Sequence, residues 1–550
     1  MQSHQTAAQM VKEMTLQQKL GQMFVTGFPA ESSNDSFIQL VKEQKLGNVI
    51  LFKANLTDYA QTLQLSRDLH LLIRSQTGVP PFITIDEEGG VVSRLPEDMP
   101  KMPSAMALSS LKDPQKVYRA ALRSGQLLRS LGINFNLAPV LDINSNPQNP
   151  VIGIRSYGQN PQDTWTYAAQ ALQGYLDAGV MCSGKHFPGH GDTMADSHLE
   201  LPSSGKTLDQ LRRMEMFPFA QAVKAGLPGA TIAHVVYSTL DDVPATMSHK
   251  IVTGLLRQEL GFQGLIISDC MEMNAISRTY GIEEGVIRAV QAGIELIFVS
   301  HLHDKVRSSM EALAAAVEQG RVSMTAIDAA VERILTYKQQ YAYEEPVDDQ
   351  QTLSACRQAA DELFRDVVQA DRPFALGERP CFISPAQAQV SQVSNAEDSL
   401  CFAQEMQRRF GGRCVRLPLR PGPEDLTQAL AAAEGATSIV MGTLNATVYT
   451  GQLDILLALE KLDLPMACVT FRNPFELDRL KPDTCRVRAW EYSPRALERV
   501  MTFFAKERRG WILWALHSAD SWRNRRWRTA FFGIAAGACL PIAAFRSWTA

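Results

Sequence analysis

The chain has 550 residues, of which 45% are hydrophobic and 20% charged, with a formal net charge of −4. These figures describe folded domains with an ordinary core and exclude a disordered chain, while the slight acidity gives no sign of a basic nucleic-acid-binding surface. One large α/β barrel with a smaller domain attached would use this length. Nine cysteines, from Cys182 to Cys539, include no CxxC pair, which argues against a disulfide framework and a structural zinc site. Met1–Gly21 has no basic n-region, apolar core or small-residue cleavage site, so a cytoplasmic protein with reduced thiols is expected.

Eight short apolar runs recur in the first 300 residues: Met23–Gly27, Asn48–Phe52, Phe82–Asp86, Asn134–Pro139, Val180–Lys185, Ala230–Val236, Leu265–Asp269 and Ile294–Ser300. Segments of helical period lie between them, among them Asp58–Ser75 and Pro114–Leu131. Eightfold strand–helix alternation predicts a (β/α)₈ barrel, with an open doubly wound sheet as the alternative. Charged or imidazole groups stand where the runs end, at Asp86, Asp142, Lys185 with His186, His234 and Asp269. In a barrel those ends form the catalytic face.

Asp304–Tyr341 is helical in pattern, and Glu344–Gln351 (EEPVDDQQ) is polar and acidic, which marks a linker. Thr352–Ala370 is again helical, and strand-like runs follow at Cys381–Ser384, Cys414–Leu417, Ser438–Gly442 and Met466–Phe471. The expected organisation is a barrel over residues 1–343, a linker at 344–352, an α/β sandwich-like domain over 353–506 and an atypical tail at 507–550.

The segment Gly184–His198 (GKHFPGHGDTMADSH) holds three of the ten histidines, one lysine and two aspartates in 15 residues. Its three glycines and one proline prevent regular structure, freeing these side chains to converge on a ligand. His186, His190, Asp192, Asp196 and His198 suggest a metal as the rival reading, together with the pair His301 and His303. No HExxH or neighbouring cysteine supports it. Within GLIISDCMEM (Gly264–Met273) Asp269 ends the apolar run and is expected in the barrel mouth. A carboxylate there opposite a proton donor suits glycoside hydrolysis, whereas the bland reading makes Asp269 a helix N-cap.

The segments LGQMFVTGF, TIDEEGGVVSRL, LAPVLDIN, VIGIRSYG, GKHFPGHGDT with ADSH, AHVVYS, LRQELGFQGLIISDCMEM and VERILTYK, in order from about Leu20 to Tyr337, resemble family 3 glycoside hydrolases. More narrowly, they resemble bacterial β-N-acetylglucosaminidases that act on peptidoglycan fragments. TFRNPFEL at Thr470–Leu477 resembles part of the second domain of two-domain members. The resemblance implies Asp269 as a nucleophile that forms a covalent glycosyl–enzyme with retention. It implies His198 as acid/base with Asp196 as its partner. It also implies Asp86, Arg94, Arg155, Lys185 and His186 as the residues that bind the N-acetylglucosamine ring. The expected partner is a carbohydrate, with no nucleic acid, and neither metal nor organic cofactor is implied. Cys270 departs from the family pattern, since an aspartate often follows the nucleophile. The competing functions are a family 3 β-glucosidase or β-xylosidase, and a non-catalytic sugar-binding barrel.

From Trp511 onward lie five of the seven tryptophans, five arginines, no lysine and one acid, Asp520. A membrane-surface anchor, a docked helix and a shifted reading frame compete as readings of this tail, and the last fits the abrupt change best.

Overall fold

Eight parallel strands close on one another: β1 (Phe24–Thr26), β2 (Asn48–Leu51), β3 (Phe82–Ile85), β4 (Phe135–Asn136), β5 (Met181–Phe187), β6 (Gly229–Ile232), β7 (Leu265–Cys270) and β8 (Leu296–Phe298). The computed structural model describes residues 5–193, 201–342, 345–386 and 400–505. Each strand pairs in parallel with the next, and β8 returns to β1 with Ile297 opposite Phe24. That closure excludes the open doubly wound sheet. All eight strands coincide with the eight apolar runs. They read as continuous apolar stretches because side chains fill the barrel inside and helices cover it outside.

The strands are short, and side-chain amides extend their ladders. Asn48 donates from Nδ2 to the carbonyls of Gln22 and Phe24, and Asn134 exchanges two bonds with Pro81 and Ile83. Asn136 does the same further along the barrel, accepting from Glu87 N at 3.0 Å and donating to Glu87 O at 2.9 Å. Each amide supplies the donor and acceptor that an absent strand residue would have offered. The surrounding helices start where the sequence signals it. Asp113 and Asn160 cap Pro114–Ser130 and Pro161–Asp177, each with proline in the first turn.

The second unit is a sheet of six strands: β9 (Gln369–Ala370), β10 (Pro380–Pro385), β11 (Arg413–Leu417), β12 (Ser438–Thr443), β13 (Met466–Thr470) and β14 (Cys485–Arg488). Their order is β9-β14-β13-β12-β10-β11, parallel except for β9 against β14. Four of the strands match expectation. β14 (CRVR) escaped it because its arginines make the run polar. Arg486 instead points off the sheet, bonding to the carbonyls of Leu477 and Leu480 and to Asp371.

Asp349 caps a helix, Gln350–Val367, so the chain is already helical at the end of the expected linker. Leu353, Cys356, Ala360 and Leu363 of this helix join the barrel's apolar core. Phe364 and Val367 pack with Ile154 of the barrel and Trp490 of the second unit. One helix thus fastens both units. Among the described residues no helix is long and apolar enough to cross a membrane; the tail after Ala505 lies outside them.

Candidate active site

The carboxyl ends of the barrel strands surround a cavity of about 700 Å³. Asp86, Arg94, Arg155, Lys185, His186 and Asp269 all line it. Four different segments deliver these six side chains. Asp86 follows β3, Lys185 and His186 belong to β5, and Asp269 belongs to β7. Arg94 stands on the loop after β3, and Arg155 ends a short 3₁₀ turn, Gly153–Arg155.

A charge network forms one wall. Lys185 Nζ donates to Asp86 Oδ1 at 2.7 Å and to Glu88 Oε1 at 2.6 Å. Arg155 grips Glu88 with two bonds of 2.8 Å, and Arg94 stands 3.7 Å from Asp86. The Glu88 side chain is only 5% exposed. Burial alone would raise its pKa, but Arg155 and Lys185 outweigh that and hold the carboxyl far below the usual range. Burial opposes charge on Lys185 too, and Asp86 and Glu88 reverse the effect, so its pKa is raised. The site therefore presents fixed, ionised donors.

Asp142 organises the neighbouring histidines from full burial. It accepts from His186 N at 3.1 Å, from His186 Nδ1 at 2.6 Å and from His190 N at 2.6 Å. Burial would push this carboxyl up, but the histidines outweigh it and its pKa is lowered. An ionised carboxylate only accepts, so His186 carries its proton on Nδ1 and keeps Nε2 for the cavity. His190 also lines the cavity, with Nδ1 2.8 Å from Thr193 Oγ1. Burial first, then the neighbouring His186, lowers its pKa to about 4.

Asp269 accepts from Cys270 N at 2.8 Å. His234, buried beneath, has Nε2 3.0 Å from the Cys270 carbonyl and so steadies the end of β7. Cys270 has its thiol pushed up to about 12 by burial and by Glu272, so it stays protonated. Glu272 in turn accepts from the amides of His301 and Leu302. That second carboxylate tethers the loop after β8 to the end of β7.

The glycosyl hydrolase family 3 N-terminal domain model matches residues 15–337, over half of the chain. The chain belongs to family 3 of the glycosyl hydrolases. Beta-hexosaminidase A of Pseudoalteromonas piscicida is 33% identical over 376 residues, covering 61% of this chain and 62% of that relative. The match thus spans less than two thirds of that protein. A beta-hexosaminidase of Thiobacillus denitrificans is 35% identical over 275 residues, 48% of this chain and 75% of its own. Among solved structures, a family 3 β-N-acetylglucosaminidase from a Paenibacillus species superposes with a TM-score of 0.79 at 33% identity, covering 90% of this chain and 97% of that one.

Within this family 3 barrel, six of the eight residues singled out in the sequence line one cavity; Asp196 and His198 lie outside the described residues. Glu88 and Asp142 were not among the eight, although each holds two of the site's groups. The doubled carboxylate in IDEEGG was the available signal for Glu88, and the end of the fourth apolar run was the signal for Asp142. Metal ligation by the His301–His303 pair finds no support in geometry. Both nitrogens of His303 are engaged, by Ser36 and Gly27 O at 2.8 Å, and the His301 ring lies 4.6 Å from that of Phe52. Among the described residues no group of three or more His, Cys, Asp or Glu is placed to hold a metal ion.

Proposed function

We propose that this protein is a retaining exo-β-N-acetylglucosaminidase that releases terminal N-acetylglucosamine from peptidoglycan fragments or related oligosaccharides. The observation that carries the reading is Asp269, a carboxylate at the end of β7 in the same cavity as Asp86, Arg94, Arg155, Lys185 and His186. The beta-hexosaminidase and β-N-acetylglucosaminidase relatives support it. Asp269 attacks the anomeric carbon, forming a covalent glycosyl–enzyme as the glycosidic oxygen leaves, and water then displaces the enzyme with net retention. Lys185, Arg155 and Arg94 donate to hydroxyl and N-acetyl oxygens, while Asp86 and the free Nε2 of His186 accept from hydroxyls. His198 protonates the leaving oxygen and Asp196 orients it, as the family resemblance implies. His190 suits that task poorly: with a pKa of about 4 it is neutral near pH 7.

A cytoplasmic location belongs to the same proposal. It rests on the eight cysteines among the described residues, all of which are free thiols.

The test is turnover of a nitrophenyl N-acetylglucosaminide beside the matching glucoside and xyloside, with Asp269→Ala as the variant. Activity confined to the N-acetylglucosaminide is expected, with kcat of the variant down by several orders of magnitude. Retention of more than about a tenth of wild-type kcat, a barrier change under ~1.4 kcal/mol, would remove Asp269 from the nucleophile's role. Preference for the glucoside would favour the β-glucosidase reading.

A further inference from the structure

A second cavity, of about 250 Å³, opens between the barrel and the second unit. Leu444, Arg472 and Glu491, which follow β12, β13 and β14, form one side, while Lys53, Gly90 and Lys101 of the barrel loops form the other. Open parallel sheets and (β/α)₈ barrels both bind ligands at the carboxyl ends of their strands. Here the two carboxyl ends face the same space. Lys53 lines both this cavity and the one that holds Asp269. The two are also electrostatically close: the charge of Arg155, in the first, bears on Arg472, in the second.

Arg472 is the unusual group. It is 8% exposed, its Nε has no hydrogen-bond partner, and it forms no ion pair among the described residues. Burial lowers its pKa to about 10, which still leaves it charged at neutral pH. A buried guanidinium is ordinarily matched by a carboxylate or phosphate, because an unmatched buried charge is costly. The other cations here are engaged, Lys101 with Glu97 and Arg495 with Asp361. Glu491 is a weak counter-charge. Burial pushes its carboxyl up to about 7, and it accepts from Ser493 Oγ at 2.6 Å.

We propose that this second cavity is the subsite for the leaving group of the glycosidic substrate, and that Arg472 receives a carboxylate carried by that group. The inference rests on the N-acetylglucosaminidase reading above and adds the class of aglycone. Among peptidoglycan fragments the matching group is the lactyl carboxylate of a peptide-free N-acetylmuramic acid unit bonded to the terminal N-acetylglucosamine, since a stem peptide would convert that carboxyl to an uncharged amide. The second unit then contributes directly to substrate choice.

The experiment compares kcat/KM for the disaccharide N-acetylglucosaminyl-N-acetylmuramic acid with that for its methyl ester, using the full chain. Wild type is expected to favour the acid at least tenfold. In Arg472→Met the acid-to-ester ratio should fall close to one, and in Arg472→Lys it should recover in part, since a point charge replaces the fork. Because the ratio compares two substrates on one protein, partial loss of folded enzyme does not alter it. A wild-type ratio near one, or a ratio unchanged in Arg472→Met, overturns the subsite while leaving hydrolysis in place. Absence of any turnover of nitrophenyl N-acetylglucosaminide by wild type overturns the activity itself, and the subsite with it.

Discussion

Glu88 shows how much of this site depends on a residue that need not touch substrate. It balances Arg155 and Lys185 from a side chain that is 5% exposed. Removing the charge without changing the shape, by Glu88→Gln, would leave Arg94, Arg155 and Lys185 sharing the single carboxylate of Asp86. Breaking one side of a buried ion pair costs about 3–5 kcal/mol, because the remaining charge stays buried and unmatched. We expect Glu88→Gln to unfold at clearly lower urea concentration and to lose at least tenfold in kcat/KM on a nitrophenyl N-acetylglucosaminide, as the two cations shift. Unchanged unfolding and unchanged kinetics would mean that Asp86 alone suffices to hold the wall together.

At the scale of elements, the loop leaving β5 is pinned from several sides. Tyr237 donates to Gly189 O at 2.5 Å, and Asn149 Nδ2 donates to His190 O at 3.0 Å and Thr193 O at 2.9 Å. Gly191 passes so close to the preceding segment that a Cβ there would lie 1.7 Å from Ile143 O. No side chain fits without moving the backbone. Gly191→Ala should therefore displace the loop, and with it the chain leading to Asp196 and His198. The expected result is a loss of about a hundredfold in kcat, on the scale of mispositioned catalytic groups, with the barrel still folded by circular dichroism. Near-wild-type kcat would show that the loop's path is not under this constraint.

The same elements show what a sequence reader can and cannot see. The eight barrel strands were legible because burial on both faces forces continuous apolar runs, and each polar residue ending a run marks a place at the mouth. Asp86, Lys185, His186 and Asp269 were found that way. Arg155 and Arg94 lie on loops, where no periodicity points, and only the family resemblance brought them in. Glu88 acquires its importance from Arg155, 67 residues away, a pairing that exists only once the barrel has closed. β14 was hidden because two of its four residues are arginines. The second cavity was invisible for the same reason as Glu88, since its walls come from residues 53–101 and 364–495.

At the scale of the whole molecule, buried carboxyl groups make stability depend on pH. Burial pushes Glu87, Glu476 and Glu491 each from an ordinary 4.5 up to about 7. Between about pH 4.5 and 7 the folded chain keeps protons that the unfolded chain has released. The stability these groups contribute is therefore full below 4.5 and is lost as pH rises through 7. His190, lowered to about 4, works in the opposite direction, gaining stability as pH rises from 4 to 6.5, and His70, which burial also lowers, acts in the same sense. Glu476 gives the cleanest test, because it is fully buried in the second unit, away from the catalytic cavity. Thr443 donates to its Oε1 at 2.5 Å, while Oε2 has no hydrogen-bond partner. The substitution Glu476→Gln keeps an acceptor for Thr443 and removes the charge at every pH. A carboxyl moved this far corresponds to at most about 3 kcal/mol at pH 8. We expect Glu476→Gln to be more stable than wild type at pH 8 by about 1–3 kcal/mol, with the advantage shrinking toward zero near pH 5. Urea unfolding of both proteins from pH 5 to pH 8 measures the difference directly. An advantage that does not change with pH would trace to packing rather than to the proton, and no advantage at pH 8 would mean that Glu476 ionises in the folded chain without cost.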